Sequence, residues 1–177
     1  GLVYAASPQY ARAIQAVVPP DVEVIIGALD ALDAPPQAAD AAHARVTPDT
    51  IAKFLFTSGS TGMPKAVINT QKMMCANARM MMQVRPRPDD APDGVYLDWM
   101  PWNHTMGGNA LFNVALTEGG TLYIDDGRPV PGMFEETLRN LREISPTYYA
   151  NVPAGYAALA AVMEKDDALC RSFFKNL

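Results

Sequence analysis

The run Phe56-Thr57-Ser58-Gly59-Ser60-Thr61-Gly62-Met63-Pro64-Lys65 concentrates the chemistry of this 177-residue chain. Thr57, Ser58, Ser60 and Thr61 offer hydroxyl donors, and Lys65 adds a positive charge. Gly59 and Gly62 let the backbone turn sharply and come close to a ligand. Successive backbone N–H groups in such a loop form an anion-binding concavity. A polyphosphate is the ligand that uses all three features at once.

Other loops with this composition are excluded by spacing. A Walker A loop needs its Lys directly after Gly, whereas Lys65 stands three residues beyond Gly62 and is followed by Ala66. There is no G-x-G-x-x-G dinucleotide turn. A hydrolase elbow is absent too, because Ser60 has Ser58, not Gly, two residues before it. Two more polar clusters interrupt apolar runs, Trp102–Gly107 and Asn151–Pro153.

The elements that must position these clusters can be read from periodicity. Leu2 to Ala6 reads as a strand, and Ser7-Pro8 opens a helix to about Val18, stopped by Pro19-Pro20. Val22 to Ile26 is a second strand, parallel to the first because a helix joins them. Residues 33–50, rich in Ala and Pro, read as an exposed linker, with His43 a solvated loop residue. Ile51 to Thr57 is an apolar strand feeding the Ser/Gly loop, and a helix from Asn69 or Thr70 to about Val84 follows. Its methionines, Met73, Met74, Met80, Met81 and Met82, read as core filling.

Val95 to Met100 is the next strand, with a helix from Gly107 to Thr117 and a strand from Thr121 to Ile124. Helices from Pro131 to Ile144 and from Pro153 to Lys165 flank a strand at Thr147 to Ala150. Strands alternating with helices predict an α/β layered fold with a mostly parallel sheet. Ligands in such sheets sit beyond the C-terminal strand ends, where all three polar clusters fall. The expected organisation is a β-α-β segment over 1–32, the linker over 33–50, and the loop-and-pocket segment over 51–177.

Bulk properties narrow the partners. The formal charge of −5 argues against nucleic acid as a ligand. No uninterrupted apolar stretch approaches the roughly 18 residues of a membrane span. Cys75 and Cys170 form no C-x-x-C pair and are expected to stay reduced in a cytoplasmic setting. The chain starts at Gly1 inside an apolar run and ends on Phe173-Phe174-Lys175-Asn176-Leu177, which reads as an internal piece of a longer chain.

The loop resembles the phosphate-loop signature of the adenylate-forming superfamily, which includes acyl-CoA synthetases, luciferases and peptide-synthetase adenylation domains. That signature is an aromatic residue, Thr-Ser-Gly, Ser or Thr, Thr-Gly, any residue, then Pro-Lys-Gly. The match runs from Phe56 to Lys65, and Ala66 stands where the signature has Gly. The stretches 101–109 and 119–127, with 66–70 and Asn151-Val152-Pro153, are similar to feruloyl-CoA synthases in particular.

The resemblance implies the partial N-terminal domain of an ATP-dependent acid–CoA ligase that uses ATP, Mg²⁺ and coenzyme A. The acid, a hydroxycinnamate such as ferulate on the subgroup resemblance, becomes an acyl-AMP and then a thioester. Other aryl or fatty acyl-CoA ligases, and a non-catalytic nucleotide-binding module, stay open as alternatives. By the same resemblance Thr57, Ser58, Gly59, Ser60, Thr61, Gly62 and Lys65 bind the ATP phosphates. His104, Met106, Gly107, Val152 and Pro153 line the acyl pocket, the glycines leaving room for a flat substrate. The ribose-binding acid, the hinge and the catalytic lysine of the family have no counterpart in the chain, so no catalytic residue is assignable and the metal position is unknown. The expected partners are a small carboxylic acid and the remainder of the same chain.

Overall fold

The computed structural model describes residues 2–28, 36–57, 62–86, 88 and 90–177. The chain divides into two compact units, Gly1–Val46 and Thr47–Leu177.

In the first unit β1 (Leu2–Ala5) and β2 (Glu23–Ile26) pair in parallel, with Val3 opposite Val24. A 3-10 turn at Pro8–Tyr10 and α1 (Ala11–Val17) connect them, as the sequence predicts. Ser7 precedes that turn without a side-chain cap hydrogen bond, so proline alone starts it. The segment read as a linker contains a helix, α2 (Pro36–His43). Its alanines carry high helix propensity, and Pro36 fits a first helical turn. His43 is exposed in the last turn of that helix, not in a loop.

The second unit opens with β3 (Ile51–Thr57) and β4 (Lys65–Thr70). They pair antiparallel, Leu55 opposite Val67 and Thr57 opposite Lys65. Strand β4 is absent from the sequence reading, although Val67-Ile68 is β-branched and follows the loop closely. The Ser/Gly loop is therefore a hairpin connection. Thr70 caps α3 (Gln71–Val84) by accepting from the Met73 N–H at 3.3 Å. Met81 packs on the cluster of Tyr96, Val114 and Ala115. Met73 and Met80 are each 57% exposed, so core filling does not account for those two.

β5 (Val95–Asp98) pairs in parallel with β6 (Thr121–Ile124). The strand expected at Thr147 to Ala150 reduces to one parallel bridge between Tyr96 and Tyr148. Thr147 reinforces it, its N–H donating to the Val95 carbonyl and its hydroxyl accepting from the Val95 N–H, both at 2.9 Å. Between β5 and β6 lie a π-helix at Thr105–Leu111 and α4 (Phe112–Thr117). Then come α5 (Phe134–Glu143), α6 (Pro153–Met163) and α7 (Asp167–Phe173). The reading missed α7, whose signal is Asp166, accepting from the Leu169 N–H at 2.8 Å.

The main core joins Leu97 of β5 to Leu138 and Leu141 of α5, Tyr149, Leu159 of α6, and Leu169 and Phe173 of α7. Each such side chain contributes on the order of 2 kcal/mol by leaving water. This core is an α/β arrangement in which helices cover strands. It holds the C-terminal end of β5, and with it residues 98–109, in place.

Candidate nucleotide and acid site

The connection from β3 to β4 is flanked by paired residues at both ends. Thr57 ends β3 and its hydroxyl donates to the Lys65 carbonyl at 3.4 Å, while Lys65 is exposed at the start of β4. Gly62 has φ +83, with nothing within 4 Å of where a Cβ would stand. That backbone angle strains other residues, which explains this glycine without invoking crowding. Ser58, Gly59, Ser60 and Thr61 lie outside the described residues.

His104 caps the π-helix. Its Nδ1 accepts from the Met106 N–H at 3.2 Å, so the proton of the neutral ring sits on Nε2. The imidazole is exposed and keeps Nε2–H free to donate to a ligand. Met106 packs on the cluster of Met100, Leu111 and Ala150, together with Trp99 and Tyr148. Gly107 and Gly108 are buried. A Cβ on Gly107 would stand 2.7 Å from the carbonyl oxygens of Met100 and Pro101, and one on Gly108 would stand 2.0 Å from that of Trp102. These glycines let the helix touch the preceding backbone; that contact, rather than space for a flat substrate, is what they provide.

Asn151 organises the other wall. Its Oδ1 accepts from Trp99 Nε1 at 3.0 Å and from the Val152 N–H at 2.8 Å, and its Nδ2 donates to the Tyr149 hydroxyl at 2.8 Å. Burial pushes the Tyr149 phenol well up, against the Asn151 donor that lowers it. Val152 is half-buried, and Pro153 is exposed at the start of α6. The Trp99–Asn151 bond and the Met100–Ala150–Met106 cluster thus bring the two predicted acid-pocket segments together.

Sequence reasoning missed a buried amide pair between the hairpin and the π-helix. Asn109 Nδ2 donates to Asn69 Oδ1 at 2.7 Å. Its only sequence signal is a pair of polar side chains inside apolar runs. Asp98, the last residue of β5, and Asp125, directly after β6, are also buried. Asp125 accepts from the Gly127 N–H, the Thr137 hydroxyl and Asn140 Nδ2 at 2.7–2.9 Å, which makes it a structural bracket. A groove of about 300 Å³ opens at these strand ends, lined by Trp99, Met100, Trp102, Asp125, Asp126 and Arg128, among others. Another of about 590 Å³ lies by Arg79, Arg85 and Glu118 and touches none of the predicted site residues. Among the described residues no group of three or more His, Cys, Asp or Glu is placed to hold a metal ion. No helix among them is long and apolar enough to cross a membrane.

The antiparallel hairpin and the strand-end groove belong to one α/β chain. Residues 4–174 match the family model described as AMP-binding enzyme, and the chain belongs to that family. It is 34% identical over 84 residues to a 3-[(3aS,4S,7aS)-7a-methyl-1,5-dioxo-octahydro-1H-inden-4-yl]propanoyl:CoA ligase of Rhodococcus jostii (strain RHA1), covering 48% of this chain and 16% of that one. It is 32% identical over 133 residues to the hybrid PKS-NRPS synthetase prlS of Fungal sp. (strain NRRL 50135), covering 73% of this chain and 3% of that one. ATP-bound MatB from Rhodopseudomonas palustris has the same fold, with a TM-score of 0.67 at 20% identity over 96% of this chain and 33% of that one. The chain therefore spans only a small part of the length of these relatives.

Proposed function

We propose that this chain carries the triphosphate hairpin and one wall of the acid pocket of an ATP-dependent acid–CoA ligase. The observation that carries the reading is the hairpin: Thr57 and Lys65 face each other across an antiparallel ribbon whose connection is the Ser/Thr/Gly run. Such a connection gathers backbone N–H groups, hydroxyls and an ammonium at one end of a rigid ribbon. Those groups fit the β- and γ-phosphates of ATP and the pyrophosphate that leaves.

In the reaction a carboxylate oxygen attacks the α-phosphorus, the bond to pyrophosphate breaks, and acyl-AMP forms. A thiolate then attacks the acyl carbon and AMP departs. Lys65 would balance charge that builds on the departing pyrophosphate. His104 would donate from Nε2 to the bound acid. Coenzyme A as the acceptor is supported by the Rhodococcus relative, which is named a CoA ligase. Ferulate or a related hydroxycinnamate is the acid this reading favours, on the sequence resemblance of residues 101–109 and 119–127. A cytoplasmic location is part of the same reading, consistent with free Cys75 and Cys170.

The test is hydroxylamine trapping of acyl-adenylate by the full-length parent with ATP and Mg²⁺. Ferulate, 4-coumarate, benzoate and a fatty acid are compared. Hydroxamate from the hydroxycinnamates is expected, and Lys65→Ala should lower kcat/KM for ATP by about 100-fold. Product from another acid alone would discard the hydroxycinnamate assignment. No product from any acid would discard acid activation.

A further inference from the structure

We propose that Asn69 and Asn109 are positioning residues, which hold the phosphate hairpin and the acid-pocket helix in one fixed register. Their effect on reactant alignment rests on the acid-activating reading above; their clamping role does not.

Both side chains are only 8% exposed. Asn69 Nδ2 donates to the Val67 carbonyl at 2.9 Å, which fixes its amide with Oδ1 turned to Asn109. Asn109 Nδ2 completes the link at 2.7 Å, and Asn109 Oδ1 has no hydrogen-bond partner among the described residues. A buried amide left partly unsatisfied is costly, and an apolar pair of the same size would avoid that cost. What the apolar pair would lack is direction. Sliding β4 by one residue would turn Asn69 to its opposite face. Rewinding the π-helix to α geometry would rotate Asn109 away from β4.

The neighbouring contacts remove slack at the same place. Lys53, opposite Asn69 in the ribbon, brings its Nζ to 3.1 Å from the position a Gly108 Cβ would take. The Trp102 carbonyl stands 2.0 Å from the same position. Both strands of the hairpin therefore meet the helix that His104 caps. Adenylation needs the carboxylate oxygen in line with the α-phosphorus, and about 1 Å of misplacement costs roughly 100-fold in rate. A directional bond between the elements holding the two reactants supplies that alignment.

The experiment compares Asn69→Leu, Asn109→Leu and the double variant in the full-length parent. Each single variant should slow ATP–pyrophosphate exchange, lowering kcat by about 10- to 100-fold with KM for ATP and acid within about threefold of wild type. The double variant removes both polar groups and should recover the midpoint of thermal unfolding, but not kcat. Recovery of kcat together with stability would reduce the pair to a packing feature and overturn the proposal. Hydrogen exchange reads the clamp without activity. Asn109→Leu should speed exchange of the amides at 66–70, a segment it does not belong to, and unchanged exchange there would also overturn the proposal. A wild type that activates no acid would sink the acid-activating reading, while the exchange measurement still decides the clamp.

Discussion

At the residue scale, Gly62 and Gly108 should respond very differently to a methyl group. Gly62 has space around it but a left-handed φ of +83, so Gly62→Ala should cost about 1 kcal/mol through the backbone alone. Gly108 has an ordinary φ but meets the Trp102 carbonyl, which is backbone and cannot swing aside. Gly108→Ala should therefore cost about 3 kcal/mol by overpacking. Urea denaturation of the two variants checks the order, and equal midpoints would refute the packing account. His104 separates a cap from a contact. His104→Asn keeps an acceptor for the Met106 N–H and should leave stability within about 0.5 kcal/mol, whereas His104→Ala should lose about 1 kcal/mol. If the imidazole touches the acid, both variants raise KM for the acid, and an unchanged KM in His104→Asn would remove that contact from the proposal.

At the element scale, what could be read in advance depended on how local the cause was. β1, β2, β5 and β6 follow from short apolar runs bounded by turn residues, and the parallel pairing of β1 with β2 follows from the helix between them. β4 was hidden because the glycines and Pro64 before it read as a long loop, and only pairing with β3 reveals the strand. The π-helix has no local signature; contacts of Gly107 and Gly108 with the backbone of 100–102 accompany it, and those depend on the chain doubling back. The residues of the Ser/Thr/Gly run were legible as candidates because hydroxyls, glycines and a lysine announce their own chemistry. Asn69–Asn109 and Asp125 were not, because a buried amide or carboxylate is identified by its partner. Asp125 illustrates the energetic consequence. Thr137 is fully buried and donates to Asp125 Oδ2 at 2.7 Å, tying α5 to the end of β6. Thr137→Val keeps the shape and removes the donor, leaving a buried carboxylate oxygen short of a partner. The expected loss is about 2 kcal/mol in chemical denaturation. A neutral outcome would mean that Asn140 and Gly127 suffice to hold the bracket.

At the scale of the whole molecule, folding itself should carry a pH signature from Asp98. This side chain is 5% exposed, and its Oδ2 has no hydrogen-bond partner among the described residues. Burial pushes its carboxyl up from 3.8 to about 6; the Met100 N–H, donating to Oδ1 at 3.0 Å, opposes the rise, and the Asp125 charge adds to it. Between those two values the folded chain binds a proton that the unfolded chain has already released. Stability therefore falls as pH rises from about 4 to about 6, then levels off on this account. The direction is opposite to that of a salt-bridged carboxylate, whose contribution grows with pH. Asp98→Asn keeps an oxygen for the Met100 N–H and abolishes the ionisation. It should stabilise the protein by about 2–3 kcal/mol at pH 7.5 and by little at pH 4. Taking the difference between wild type and variant at each pH isolates the contribution of Asp98. Urea unfolding at the two pH values measures that difference. A gap that stays constant with pH would show that Asp98 ionises in the fold as it does in the open chain, and that burial at the end of β5 exacts no electrostatic cost.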